Sequence, residues 1–260
     1  MYDFKFVNAK NIKEAVEALK EEDSIIISGG QTLIPSLKQR LSSPKKIVSI
    51  NKISELKGIE RLKNHYIIGS ASNHQMVSDL TTDFLALSCL AGNIGDPAVR
   101  HRGTIGGSVA NNDPSACYPA AILGTRSKIK TNFRTITSDK FFKGIFETDL
   151  KTNEIILKFE IEIPLKSNYQ KFVQPASRFA LVGVFVSLYE SEVRVAITGA
   201  SENGVFRWKE AEKKLFNNFD FKVLNSLSPP KIDLIEDIHG NAEYRSDLIK
   251  TMAIRAIKNC

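Results

Sequence analysis

Residues that build metal sites and cross-links are scarce in this chain of 260 residues. Its three cysteines, Cys89, Cys117 and Cys260, form no C-x-x-C pair, which argues against a disulfide framework, a zinc knuckle or an iron–sulfur ligand set. The four histidines, His65, His74, His101 and His239, share no ligand spacing, so no metal site is expected from this chain. No stretch approaches the roughly 18 consecutive apolar residues that span a bilayer. The opening "MYDFKFVNAKNIKEAVEAL" lacks the apolar segment of a signal peptide, and a cytoplasmic location is the expectation. A G-x-G-x-x-G after the first strand and a G-x-x-x-x-G-K-[ST] are both missing, which removes a Rossmann site and a P-loop. Internal repeats and low-complexity segments are absent as well.

What is present is an ordinary globular composition, 42% hydrophobic and 25% charged, with a formal net charge of +7. Lysine and arginine are scattered along the chain rather than clustered, and no nucleic-acid motif accompanies them. The excess charge therefore reads as a solvated basic surface that favours an acidic partner or an anionic ligand.

The pattern of apolar residues predicts alternating helices and strands. "NIKEAVEALKEE" places Ile12, Ala15, Val16 and Leu19 on one helical face, with Asn11 and Glu14 spaced as a capping box. "SIIIS" (24–28) reads as a buried strand, "LIPSLKQRL" as a helix with Pro35 in its first turn, and "KKIVSI" and "HYIIGS" as strands. "TDFLALSCLAGNIG" is helical. In "LKFEIEI" the alternation puts Leu157, Phe159, Ile161 and Ile163 on one face of a half-buried antiparallel strand closed by Pro164. The polar "LKSNYQK" after it reads as a linker. Beyond it come two strands ("FALVGVFVSLYE" and "EVRVAITGA"), a short helix ("KEAEKKLF"), a loop ("SLSPPK") and a long helix ("NAEYRSDLIKTMAIRAIK"). Two α+β units divided near residue 167 are the expectation, with residues 1–167 split again near 55 and residues 168–260 forming the smaller unit.

Two double-glycine loops carry the chemistry. Gly29-Gly30 sits between a strand and a helix start, and Gly106-Gly107 lies within "HRGTIGGSVANNDPS". Glycine permits positive φ and close approach of the backbone, and successive N–H groups in such a turn form a nest for anions. Both loops are flanked by hydroxyl residues, and together they suit the two phosphates of a dinucleotide. On residue chemistry alone the reading stops at a phosphorylated ligand.

Five stretches occur in an order that goes further: "SGGQTLIPSLKQRLSSP", "ISELKGI", "IGSASNH", "RGTIGGSVANNDPSACYPAAIL" and "GNAEYRSDLIKTMAIRA". Together they resemble the FAD-binding medium subunit of molybdenum hydroxylases, the xanthine dehydrogenase and aerobic carbon monoxide dehydrogenase family. The resemblance covers nearly the whole chain. It implies an α+β fold: a vanillyl-alcohol-oxidase-type (PCMH-type) FAD-binding domain followed by a small α+β C-terminal domain. It also implies two flavin loops, Ser28, Gly29, Gly30, Gln31 and Thr32 in the first, and Thr104, Ile105, Gly106, Gly107 and Ser108 in the second. Ile94 and Ile156 match apolar contacts to the cofactor, Lys171 matches a lysine that reaches the flavin, and Tyr169 is placed to cover a ring face. Each has a plainer role available: Ile94 and Ile156 as core, Lys171 and Tyr169 as linker surface, Thr104 and Ser108 as caps of their own turn.

Two departures from the family pattern stand out. Cys117 takes a position where relatives carry Asp or Asn against the ribityl or diphosphate region, and a thiol is a poor donor and acceptor. Arg178 stands where an acidic residue is expected. The implied function is electron transfer: substrate hydroxylated at a molybdopterin centre in a large subunit, electrons passed through two [2Fe-2S] clusters in a small subunit to FAD here, then to an external acceptor, in a dimer of heterotrimers. No catalytic acid, base or nucleophile is expected in this chain. The alternatives are a structural subunit of the same complex with weak or no flavin binding, and a free-standing flavin oxidoreductase. Substrate and terminal acceptor (NAD, quinone or oxygen) are open at this level.

Overall fold

A computed structural model describes residues 1–230 and 233–260; Lys231, the last residue of the expected "SLSPPK" loop, lies outside them. The first 50 residues alternate β1 (Lys5–Asn8), α1 (Ile12–Ala18), β2 (Ser24–Ile27), α2 (Leu33–Lys38) and β3 (Lys46–Ser49). The three strands form a parallel sheet in the order β1-β3-β2. The expected capping box at α1 forms with a one-residue offset: Asn11 accepts from the Glu14 N–H at 2.9 Å, and Glu14 reaches back past the cap to accept from the Lys10 N–H at 2.9 Å. "SIIIS" is not the buried strand that its run of isoleucines suggests. β2 is an edge, with Ile25 36% exposed, whereas all four residues of β3 are buried. An apolar run reports affinity for a sheet but not rank within it. Lys46, at the start of the central strand, buries its stem and directs Nζ to Glu21 and the Ala18 carbonyl.

The middle of the chain runs through β4 (Ile59–Arg61), β5 (His65–Gly69), five helices, α3 (His74–Leu80), α4 (Leu85–Gly92), α5 (Pro97–Arg102), α6 (Ile105–Asn111) and α7 (Tyr118–Gly124), then β6 (Lys128–Thr131) and β7 (Thr135–Thr137). A short α8 (Ser138–Phe141) and the small pair β8 (Phe142–Gly144) and β9 (Glu147–Thr148) precede β10 (Ile156–Glu162). The large sheet is antiparallel in the order β4-β5-β10-β6-β7, so the alternating strand of the sequence lies at its centre. A register shift between Ile156 and Lys158 breaks the strict alternation and buries Ile156 on the core side along with Phe159 and Ile161.

The expected linker is instead β11 (Lys166–Val173), the edge of a third, antiparallel sheet with β12 (Ala180–Leu188), β13 (Val193–Thr198) and β14 (Phe206–Arg207). Its polar residues read as linker because an edge strand tolerates them; Tyr169 is its buried anchor. α9 (Lys209–Asn217) and α10 (Ala242–Lys258) cover one face of this sheet, where Val182, Val184 and Ile197 meet Leu248, Met252 and Ala256. From the other face Tyr169, Phe185 and Ala196 enter the core of the middle unit. Arg194 bolts the two together, donating to the Thr125 carbonyl at 3.0 Å and to Asp139 at 3.1 Å.

α3 sets the position of the second glycine loop. Asn73 caps it by accepting from the Met76 N–H at 2.8 Å, and the His74 N–H donates to the Gly103 carbonyl at 3.0 Å. The His74 ring packs beside Gly103, where a Cβ would collide with Nε2, and lies 5.3 Å from the Tyr118 ring. Burial, reinforced by the charge of Arg100, pushes the imidazole down from 6.5 to about 4. The unfolded chain therefore binds a proton that the folded chain refuses, and stability falls as pH drops through this window. Between pH 6.5 and 4 the loss from this group is expected to be about 3 kcal/mol. Denaturant unfolding of wild type and His74→Gln across that range checks it: the variant should show a shallower acid slope, and identical slopes would refute the assignment.

Candidate flavin site

The first glycine loop turns sharply from β2 into α2. Gly30 adopts φ +73°, a left-handed conformation that L side chains rarely take. Gly29 is buried against the segment ahead of the second loop, and a Cβ there would fall on the Arg102 carbonyl and the Gly103 Cα. Asn51 holds the loop from behind by donating to the Ser28 carbonyl at 2.8 Å. Among the described residues, no acceptor takes the N–H groups of Gly29, Gly30, Gln31 and Thr32. Four successive unengaged donors on a turn are what an anionic oxygen needs. Gln31 and Thr32 are exposed, and the Thr32 side chain makes no cap bond.

The second loop is built differently from the expected open nest. Residues from Ile105 onward are helix α6, capped by Thr104, whose Oγ1 accepts from the Gly107 N–H at 3.1 Å. The remaining amides are also engaged: Ile105 donates to the Ser72 carbonyl, Gly106 to the Ser70 carbonyl at 2.8 Å and Ser108 to the Thr104 carbonyl at 3.0 Å. Lacking a side chain, Gly106 lets the helix settle on Ser70. Thr104 does cap its own turn, and its hydroxyl also donates to Ser28 Oγ at 3.0 Å, joining the two loops directly. Ser108 is half-buried.

Gly107 differs from the other three. It is exposed, and an added Cβ would meet only the Thr104 hydroxyl at 3.0 Å. A glycine inside a helix costs about 1 kcal/mol relative to alanine. Part of that cost serves the Thr104 hydroxyl, which both caps α6 and bonds Ser28; beyond that contact the position is open to solvent.

A second group of the expected residues gathers elsewhere. Lys171 Nζ donates to the Asn93 carbonyl at 2.7 Å, to the Arg178 carbonyl at 3.0 Å and to Cys117 Sγ at 3.6 Å. Lys171 is thus a fixed strut and not linker surface. It brings Asn93, next to Ile94, together with Cys117 at the start of α7 and the β11–β12 turn. Ile94 is half-buried at the edge of the middle core, while Ile156 is inside that core at 5% exposure. Tyr169 is interior too; its ring packs 6.2 Å from Phe185. Arg178 lies in the β11–β12 turn with φ +60° and gives its carbonyl, not its guanidinium, to the cluster.

Three contributors carried little signal in the sequence. Asn73 donates its side-chain amide to the His101 carbonyl at 3.1 Å, His74 donates its backbone N–H to the Gly103 carbonyl, and Asn51 acts through one carbonyl. Phe179, 47% exposed beside Arg178, is the fourth residue not anticipated. Its exposure becomes visible only once the β11–β12 turn is known.

Comparison with known proteins gives the family and the fold. Residues 2–166 match the family of FAD binding domains in molybdopterin dehydrogenase. The glyceraldehyde dehydrogenase medium chain of Sulfolobus acidocaldarius is 30% identical across 98% of each chain. The carbon monoxide dehydrogenase medium chain of Hydrogenophaga pseudoflava is 28% identical over 98% of this chain and 96% of its own. In fold, the chain is similar to a chain of reconstituted CO dehydrogenase from Oligotropha carboxidovorans, with a TM-score of 0.90 over 98% of this chain and 96% of that one, at 24% identity. No helix among the described residues is long and apolar enough to cross a membrane. With an α+β fold, two joined glycine loops and this family match, the chain belongs to the FAD-binding medium subunits of the molybdenum hydroxylases, the flavoprotein component of an oxidoreductase.

Proposed function

We propose that this chain carries electrons through FAD between the [2Fe-2S] clusters of a small partner subunit and an external acceptor. Substrate is hydroxylated at the molybdopterin of a large subunit, and the assembly is a dimer of heterotrimers working in the cytoplasm. The medium-chain relatives and the family match support the subunit's place in such a complex. The observation that carries the reading is the run of four unengaged amides at Gly29 to Thr32, in a loop joined to the second through the Ser28–Thr104 hydroxyl bond.

FAD supplies the redox chemistry when bound. The chain's own residues do the holding. The N–H groups of Gly29 to Thr32 take the diphosphate, and Ser28 and Thr104 fix that loop against α6. Gly107 and Ser108 leave room along the ribityl chain. Ile94 and Lys171 meet the flavin, Cys117 stands where an Asp or Asn would bond the ribityl or diphosphate region, and Ile156 and Tyr169 support the site from the core. The match to residues 2–166 ends where β11 begins, which supports a flavin-binding portion of residues 1–167 and a C-terminal portion of residues 168–260.

Two substitutions separate ligand contact from loop architecture. Gly107→Val should abolish FAD retention at a stability cost of about 1–2 kcal/mol, because its Cβ presses on the Thr104 hydroxyl but on no backbone. Gly29→Ala should lose FAD and unfold more readily, since its Cβ meets backbone. Flavin absorbance per protein and a thermal melt read both, and full flavin content in Gly107→Val would defeat the proposed contact. Cys117→Asp is expected to tighten FAD about fivefold, within the 0.5–1.5 kcal/mol of a recovered hydrogen bond. Fluorescence titration checks it, and an unchanged or weaker Kd would show that the thiol is no deficit. A folded, colourless complex purified with its partners would favour the structural-subunit alternative.

A further inference from the structure

The carboxy-terminal sheet closes on the turn that leads into α7. Thr198, at the end of β13 and fully buried, holds its hydroxyl 2.8 Å from both the Pro114 and the Ala116 carbonyls. Its single proton serves the two oxygens. The Gly199 N–H adds a bond to the Pro114 carbonyl at 2.7 Å, and the Ala180 N–H one to the Ser115 carbonyl at 3.3 Å. Residues 114–116 thus present successive carbonyls to the ends of β12 and β13. Those ends are fixed in turn by the buried Arg245, which donates to the Leu181 carbonyl at 2.9 Å and to the Gly199 carbonyl at 2.7 Å. Pro114 and Ser115 keep backbone donors whatever stands at position 198. The Ala116 carbonyl does not: among the described residues, the Thr198 hydroxyl is its one donor. The residue after Ala116 is Cys117, where α7 starts beside Lys171 and, through it, Asn93.

We propose that Thr198 is a positioning residue for flavin binding, acting through the Ala116–Cys117 peptide and not by contact. The inference rests on the flavin reading given above. It makes a side chain of the third sheet, which the family match to residues 2–166 does not reach, a determinant of a site built within that match. Without the hydroxyl, the Ala116 carbonyl has no donor inside the fold and turns toward water, and the peptide that carries it turns as well. The turn then spreads over several arrangements. Apparent affinity falls with the fraction of molecules that keep the one the cofactor needs. Loss of a single hydrogen bond of ordinary strength reduces that fraction about fivefold.

The test compares the full chain as wild type, Thr198→Ser, Thr198→Ala and Thr198→Val. Thr198→Ser and Thr198→Ala differ by the hydroxyl alone, and that pair decides the matter even if Thr198→Val, which keeps the shape of threonine, does not fold. Fluorescence titration should place the FAD Kd of Thr198→Ser within about twofold of wild type, and those of Thr198→Ala and Thr198→Val about fivefold weaker. The visible absorption bands of bound FAD should move in Thr198→Ala and return to the wild-type positions in Thr198→Ser, a response that a loss of overall stability would not produce. In the FAD-free chain, hydrogen exchange at the Ala116 amide, which bonds the Asp113 carbonyl, should be faster in Thr198→Ala than in Thr198→Ser, with β10 unchanged in both. One Kd and one spectrum shared by Thr198→Ser and Thr198→Ala would overturn the proposal while leaving FAD binding intact. A wild type that takes up no FAD would defeat the flavin reading itself, and this inference with it.

Discussion

The site depends on one close approach, that of Gly29 to the Arg102–Gly103 backbone. Residues separated by most of a hundred positions touch there with no side chain between them, and the Ser28–Thr104 hydroxyl bond closes the join. Any Cβ at position 29 would push the parallel sheet of the amino-terminal unit away from α6, and the two loops would no longer face one volume. Much of the surrounding structure serves that approach. Asn51 braces one loop, while His74 and the Ser70 and Ser72 carbonyls brace the other. The refusal of a proton by His74 ties this bracing to pH.

The two loops then divide the labour. One keeps its amides free, and the other spends its own on the fold. A nest needs donors without internal acceptors, and α6 leaves none at Ile105 to Ser108. What α6 contributes is a surface stripped of side chain at Gly107. The group around Lys171 has a comparable economy: one ammonium ties the end of α4, the start of α7 and the β11–β12 turn together. A lysine with three short polar contacts loses conformational freedom, and its loss would loosen all three segments at once.

The sequence made the first glycine loop, the alternating β10 and the three terminal elements β12, β13 and α10 legible, because each rests on a local rule. Positive φ, period-two alternation and i, i+4 spacing are properties of neighbours along the chain. What it hid was relational. β2 is an edge and not the buried strand expected of it, because rank depends on which strands flank it. The stretch "LKSNYQK" reads as a linker because half of an edge strand faces solvent. The register shift beside Ile156 could not be inferred from "LKFEIEI" alone, since it is fixed by pairing with β6. Engagement of the Ile105 and Gly106 amides was equally invisible, as it depends on carbonyls more than thirty residues earlier, whereas the local cap by Thr104 was open to inspection.

The most direct test of the division between the loops is a backbone amide NMR titration of the FAD-free chain with FAD. The account predicts the largest N–H shifts at Gly29, Gly30, Gln31 and Thr32, with smaller changes at Ile105 and Gly106, whose protons already have acceptors. Shifts confined to the second loop, with residues 29 to 32 unmoved at saturation, would contradict it.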